Sequence, residues 1–241
     1  MRFKYKDVLK IQQVERLNTY YPVAIILRWI SPLITLFCIK YAIIPNTVTL
    51  MMIFFGYIGP IFLLSSTFLI KIIGVICIWL WLTLDLSDGE VARLTKNFSN
   101  GGSDLDYIAH LLNHPVMIFS FAYNIYIYFS IPILIVFLCA FLMLIFEMTT
   151  RYYYAIDKFV NKHVGEGDDD SSLSKLQRFI KLVSSIFSIF PNFALIFSIM
   201  LLMDLKLGLK ISIYYAILYL VIVLLKYIKN NISRIIYYYK V

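Results

Sequence analysis

Charged side chains are scarce in this sequence. Only 15% of its 241 residues are Asp, Glu, Lys or Arg, whereas 61% are apolar and the mean hydropathy is +0.81. So little charge excludes an ordinary soluble domain, in which about a quarter of the residues are charged. Aromatic residues make up 17% of the chain, as suits lipid-facing and interfacial positions. The composition therefore predicts a polytopic membrane protein.

Cysteines and processing signals are also few. The three cysteines, Cys38, Cys77 and Cys139, lie inside apolar segments, and no two have the spacing of a metal site. We expect them to behave as small buried apolar residues. The N-terminal region is charged and is interrupted by polar residues as far as Thr19, without the apolar core and cleavage site of a signal peptide.

The apolar runs predict an all-α integral membrane protein with a single domain over residues 1–241. A six-helix core occupies 45–230, and 231–241 form a cytoplasmic tail. The predicted transmembrane helices lie at about 47–67, 70–94, 104–127, 130–152, 183–203 and 210–230. Pro45 suits the first turn of the first span, which Asn46 or Thr47 would cap, and Asp104 would cap the third.

A juxtamembrane segment, residues 1–44, precedes this core. Basic and apolar residues interleave over 1–22, which indicates an amphipathic helix on the bilayer surface or, alternatively, a disordered basic tail. Residues 23–43 are apolar but interrupted by Arg28, Pro32 and Lys40, so we expect a partly inserted segment and not a clean span.

The formal net charge of +8 reflects basic residues at the ends of the apolar runs, an arrangement typical of contact with anionic lipid. We therefore expect no nucleic-acid partner. With both termini cytoplasmic, the predicted outside loops hold only three of the 22 Lys and Arg residues, Lys71, Lys206 and Lys210. This positive-inside bias predicts a multi-pass protein of the cell membrane, with the loop between the second and third spans in the cytoplasm.

Carboxylates and a histidine flank that cytoplasmic loop at regular spacing. Asp85, Asp88 and Ala92 share one face of the second span, and Asp106 and His110 share one face of the third. Carboxylates at the edge of a membrane need partners, and hard divalent cations are the partners we expect.

This pattern resembles the signature of the CDP-alcohol phosphotransferase (CDP-alcohol phosphatidyltransferase) family, D-x2-D-G-x2-A-R-x8-G-x3-D-x3-D. The sequence matches it at Asp85, Asp88, Gly89, Ala92, Arg93, Gly102 and Asp106, with His110 in place of the last Asp. The resemblance implies that Asp85, Asp88, Asp106 and His110 bind Mg²⁺ or Mn²⁺, as two ions. It also implies that Gly89, Ala92, Arg93 and Gly102 shape the cytidine nucleotide site.

Family members transfer a substituted phosphate from a CDP-linked alcohol to an acceptor hydroxyl and release CMP, with the last Asp as the base. His110 is then the candidate catalytic base, since imidazole accepts protons near neutral pH. Imidazole also prefers Mn²⁺ or Zn²⁺ to Mg²⁺, so His110 is a candidate metal ligand as well.

Three further groups of polar residues have two interpretations each. His114, one helical turn beyond His110, either forms a pair with it or is a polar residue hydrogen-bonded inside the bundle. Glu147 and Arg151 either pair with each other at i, i+4 or place Arg151 to bind an anionic substrate group. The acidic run at 168–170 is a solvated loop tip or a cation site.

The resemblance therefore implies a membrane transferase in phospholipid or surface glycolipid or polysaccharide synthesis, acting as a homodimer. The donor is CDP-diacylglycerol or a small CDP-linked alcohol, and the acceptor is an alcohol, at least one of the two substrates being a lipid. The alternative is a non-catalytic relative that binds cytidine nucleotide and metal without turnover. A transporter or channel explains the hydropathy but not the spacing of the motif.

Overall fold

The computed structural model describes residues 3–12 and 22–155, together with scattered helical positions between 192 and 232. Within these residues all regular structure is helical, which confirms the predicted all-α class. The helices are α1 (Tyr5–Ile11), α2 (Pro22–Lys40), α3 (Pro45–Leu63), α4 (Phe68–Thr95), α5 (Gly102–Phe129) and α6 (Ile133–Ala155). The predictions for 13–21, for the acidic run and for most of the last two spans lie outside the described residues.

Backbone features end the helices where the sequence turns. Pro45 is in the first turn of α3, as predicted, but the N-cap is Ile44 and has no side-chain cap, so the predicted capping by Asn46 or Thr47 is wrong. The N-cap of α5 is Gly101, and Asp104 lies in the first turn instead of capping it. Lys96, with a left-handed φ of 55°, closes α4 by donating its backbone N–H to the carbonyl of Ala92.

Two of the described helices, α3 and α4, are long and apolar enough to cross a membrane by length and composition. The shorter apolar part of α6 runs from Ile133 to Thr149. Cys139 in this helix is exposed, so the expectation of burial is wrong for it, whereas Cys38 and Cys77 are buried as expected. Helix α5 is less apolar because it carries Asn113, His114 and Asn124, and these three side chains are buried inside the bundle. The prediction of six spans therefore stays a prediction.

Glycine allows the backbones of α3 and α4 to approach each other closely. A Cβ added to Gly74 would stand 2.7 Å from the carbonyl oxygen of Gly59, and one added to Gly59 would stand 2.9 Å from that of Gly74. Small residues at such crossings are typical of helix pairs in membranes. Helix α5 packs on α3, α6 packs on α5, and α2 covers another side of α4.

The end of the bundle where α4 begins holds a buried lysine, Lys71. The sequence predicts Lys71 in an outside loop, but the structure places it inside α4, so that prediction is wrong. The Lys71 ammonium donates to the Asn124 side-chain oxygen (2.8 Å), and the Asn124 amide donates to the carbonyls of Leu63 (3.2 Å) and Ser120 (2.9 Å). Lys71 also lies over the Tyr128 ring. These contacts join α3, α4 and α5 at the end opposite to the motif.

Candidate active site

The residues of the motif form a cluster in space because a short loop joins α4 and α5. Asp85 and Asp88 lie in the last three turns of α4, and Asp106 and His110 lie in the first turns of α5. The left-handed residue at Lys96 reverses the chain direction, and the facing side chains of the two helices then meet next to the loop.

Three of the four predicted metal ligands meet directly. The Nε2 atom of His110 is 3.0 Å from Asp85 Oδ1 and 3.6 Å from Asp106 Oδ1. One possible ligand atom from each of these three residues lies within 4.8 Å of the other two. The side chains are 16% (His110), 26% (Asp85) and 40% (Asp106) exposed, so the cluster is open to a ligand while its sides are packed.

Asp88, the fourth predicted ligand, lies beside this group and accepts hydrogen bonds from two other residues. Thr49 of α3 donates its hydroxyl to Asp88 Oδ2 at 2.7 Å, and the Gly89 backbone N–H donates to Oδ1 at 2.5 Å. The Asp88 charge interacts with those of Asp85 and Asp106. Thr49 therefore orients a carboxylate that would otherwise turn away from two like charges.

The residues predicted to shape the nucleotide site lie on both sides of the loop. A Cβ at Gly89 would stand 3.0 Å from the guanidinium Nη1 of Arg93, so Arg93 folds back over Gly89 on the same helix. Ala92, which lies between Gly89 and Arg93 in the sequence, is half-buried. At the start of α5, a Cβ at Gly102 would stand 2.8 Å from the Ser99 hydroxyl, which itself donates to Asn46 at 2.9 Å.

A second polar group extends from the cluster into α6. The Nδ1 atom of buried His114 is 2.7 Å from Glu147 Oε1, and Arg151 Nε donates to the same oxygen at 3.1 Å. Arg151 Nη2 is 3.4 Å from His114 Nε2. These bonds confirm the predicted pairing of Glu147 with Arg151 and the interpretation of His114 as a polar residue hydrogen-bonded inside the bundle.

Trp81 contacts both histidines, although it is not part of the motif. Its ring makes edge contacts with His110 (5.9 Å between centroids) and His114 (5.8 Å), which contact each other at 5.3 Å. Trp81 lies one turn before Asp85 on α4, so helical spacing from the motif was the available signal. The sequence carried no comparable signal for Thr49.

Two carboxylates and an imidazole form a donor set that fits a divalent cation. Oxygen ligands suit Mg²⁺, and adding imidazole suits Mn²⁺. Coordination through His110 Nε2 would replace the hydrogen bond that this atom now makes to Asp85. The donor set therefore fits a metal with Asp85 and Asp106 as ligands. His110 would be either a third metal ligand or the base.

In the described part of the chain the regular structure is helical, two helices are apolar enough to cross a membrane, and a carboxylate–imidazole group that could hold a divalent cation lies at the junction of α4 and α5. These features indicate a membrane protein. Comparison with known families makes this specific. A model of the CDP-alcohol phosphatidyltransferase family matches residues 42–236, so the chain belongs to that family. This membership implies a transferase that takes a phosphate group from a CDP-linked alcohol. No curated protein matches the sequence.

Proposed function

We propose that this protein is an integral-membrane enzyme that moves a substituted phosphate from a CDP-linked alcohol to an acceptor hydroxyl and releases CMP. The observation that carries the proposal is the meeting of Asp85, Asp106 and His110 within 4.8 Å, in a chain that belongs to the family. The donor is CDP-diacylglycerol or a small CDP-linked alcohol, and the product belongs to phospholipid or surface glycan synthesis.

Asp85, Asp88 and Asp106 would hold Mg²⁺ or Mn²⁺, as two ions. Bound cations would offset the charge of the pyrophosphate oxygens in the donor and of the departing CMP. The three carboxylates supply the negative charge that attracts these cations, and Thr49 holds Asp88 toward them. Arg93 supplies a guanidinium suited to a phosphate oxygen, and Gly89, Ala92 and Gly102 keep side chains short beside it.

His110 would act as the base. The hydrogen bond to Asp85 requires the imidazole proton on Nε2, which leaves Nδ1 as the basic nitrogen. Nδ1 is buried and has no hydrogen-bond partner among the described residues. A carboxylate that binds one ring nitrogen and thereby activates the other is the arrangement seen in hydrolytic triads. Asp85 would stabilise the imidazolium that forms when the acceptor hydroxyl loses its proton.

Membrane topology and assembly complete the proposal. We infer six spans, with both termini and the 96–101 loop on the cytoplasmic side, because the basic residues concentrate there. We also infer a homodimer, as the family resemblance implies. A monomeric mass by light scattering in detergent would argue against this assembly.

CMP release tests the activity. The purified protein in lipid would receive CDP-diacylglycerol or small CDP-alcohols as donors, mixed lipid and polyol acceptors, and Mg²⁺ or Mn²⁺. CMP formed with one donor would support the transferase and identify half of its substrate pair. If no donor gives CMP although metal-dependent CDP binding is measured, the transferase proposal is not supported.

The second candidate is a family member that binds nucleotide and metal without turnover. The observation that favours it is the 3.0 Å bond between His110 Nε2 and Asp85, which occupies a carboxylate that would otherwise bind metal. Restoring the family residue with His110→Asp distinguishes the two. CMP release that begins only in this variant would show that the natural protein is a binding protein.

A further inference from the structure

A buried carboxylate lies on the other side of α4 from the candidate active site. Glu90 is 1% exposed and follows Asp88 by two positions, which places it on the opposite face of the helix. A charged residue in this position of a helix end would ordinarily be solvated. Its burial therefore requires hydrogen-bond donors to the carboxylate.

Glu90 accepts hydrogen bonds from residues of α2 and from the residue that follows α1. Ser31 donates to Glu90 Oε1 at 2.8 Å, Thr35 donates to Oε2 at 2.5 Å, and Gln12 Nε2 lies 3.1 Å from Oε1. Gln12 Nε2 also contacts the Arg28 carbonyl at 2.9 Å. Gln12, Ser31 and Thr35 are each at most 2% exposed. We call these four residues, Gln12, Ser31, Thr35 and Glu90, the Glu90 cluster.

The Glu90 cluster joins two different parts of the chain. The family match covers residues 42–236, so Glu90 lies inside it and the three donors lie before it. Ser87, one turn before Glu90, adds a 3.4 Å contact from its hydroxyl to the Ser31 carbonyl. The helices that precede the family region are thus attached to the motif-bearing end of α4 by charge-assisted hydrogen bonds, which are the stronger kind.

We propose that Glu90 is a positioning residue, and that the Glu90 cluster makes α1 and α2 part of the catalytic unit by fixing the rotation of the end of α4. Asp85 and Asp88 project from the opposite face of the same turns. Any rotation of α4 that follows loss of these bonds therefore displaces both carboxylates relative to Asp106 on α5. This inference rests on the metal-binding role given to Asp85 and Asp88 above.

Thr35 offers a matched pair of variants. Thr35→Val keeps the shape of the side chain and removes the hydroxyl, whereas Thr35→Ser keeps the hydroxyl. Phe37→Leu, on the exposed face of α2, controls for a general effect of altering this helix. Each variant in lipid nanodiscs would be titrated with Mn²⁺ by electron paramagnetic resonance, and its kcat and donor KM measured at saturating metal.

We expect Thr35→Val to weaken Mn²⁺ binding and to lower kcat by about tenfold each, with donor KM close to that of the natural protein. Thr35→Ser and Phe37→Leu should retain both. A purely structural role predicts a lower melting temperature with unchanged Mn²⁺ affinity and kcat in the folded fraction, and that result would overturn the proposal.

Gln12→Leu keeps the test decisive if Thr35→Val does not fold, because it removes a different one of the three hydrogen bonds to Glu90 and leaves α2 unchanged. The same loss of Mn²⁺ affinity is expected, and an unchanged affinity counts against the proposal. Natural protein that binds Mn²⁺ without releasing CMP would refute only the proposed activity. Natural protein that binds no Mn²⁺ would refute the proposed metal site and this inference together.

Discussion

His110 shows how much of this site depends on a single side chain. Its Nε2 atom lies between two carboxylates, 3.0 Å from that of Asp85 and 3.6 Å from that of Asp106, and its ring packs against Trp81. A carboxylate at this position would add a third anion next to Asp85 and Asp106. Imidazole instead donates a hydrogen bond to one of them, so the cluster is less dependent on metal for its electrostatic balance.

His110→Asn tests the role of the imidazole as the base. The amide can still donate a hydrogen bond toward Asp85 but cannot accept a proton, so we expect kcat to fall by about 10²–10⁴-fold with donor KM little changed. Initial rates of CMP release would measure this. Mn²⁺ titration of the same variant is the control, because retained binding shows that the carboxylates are still in place. A kcat near that of the natural protein would exclude His110 as the base.

Glu147 is the residue on which the second polar group depends. It accepts hydrogen bonds from both His114 and Arg151, and its burial makes loss of the charge costly for the folded state. We expect Glu147→Gln to lower the free energy of unfolding by about 1.5–3 kcal/mol, since bonds to a charged group are lost. Ile145→Val, at an exposed position of the same helix, should be nearly neutral in the same denaturation experiment.

At the scale of the helix, the contacts that the sequence could predict are those set by helical spacing. Asp106 and His110 are one turn apart, and the short spacer to Asp85 and Asp88 requires α4 and α5 to be neighbours. Thr49, Glu147 and the donors to Glu90 belong to other helices, and no spacing within the sequence relates them to the motif. The sequence pattern does not single out Glu90, because an acidic residue near a helix end is ordinarily exposed.

The crossing of α3 and α4 gives a prediction at this scale. Gly74→Ala would place a Cβ 2.7 Å from the backbone carbonyl of Gly59, and a backbone atom cannot move aside without shifting the helix. We expect a loss of about 1–3 kcal/mol of stability from this overpacking.

Thermal or denaturant unfolding in a mild detergent measures this loss. Gly101→Ala is a matched control, because nothing lies within 4 Å of the Cβ it would add and its φ of −108° suits alanine. Equal stabilities for the two variants would show that α3 and α4 can separate at no cost, contrary to the close crossing described above.

At the scale of the whole molecule, composition predicts the all-α membrane class but not the number of spans. Low charge and long apolar runs predicted helices in a membrane, and all regular structure in the described part of the chain is helical. Helix α5 shows why counting spans by hydropathy is harder. Asn113, His114 and Asn124 lower its apolar character, yet they face neighbouring helices and are fully buried. Hydropathy cannot distinguish such residues from solvated ones, since it ignores the direction of each side chain.

Membrane orientation is the property of the whole molecule that most constrains the proposed function, because a CDP-linked donor reaches the site from one side. The loop after α4 and the turn after α3 lie at opposite ends of α4. Asn97 and Ser66 are exposed in these two connections.

In a variant without Cys38, Cys77 and Cys139, single cysteines would be introduced as Asn97→Cys or Ser66→Cys. We expect a membrane-impermeant maleimide to label Ser66→Cys in intact cells and Asn97→Cys only in inside-out vesicles, as the positive-inside bias predicts. Labelling of both after detergent solubilisation controls for reactivity. The reverse pattern would place the site outside the cell, where a cytoplasmic CDP-linked donor would not reach it.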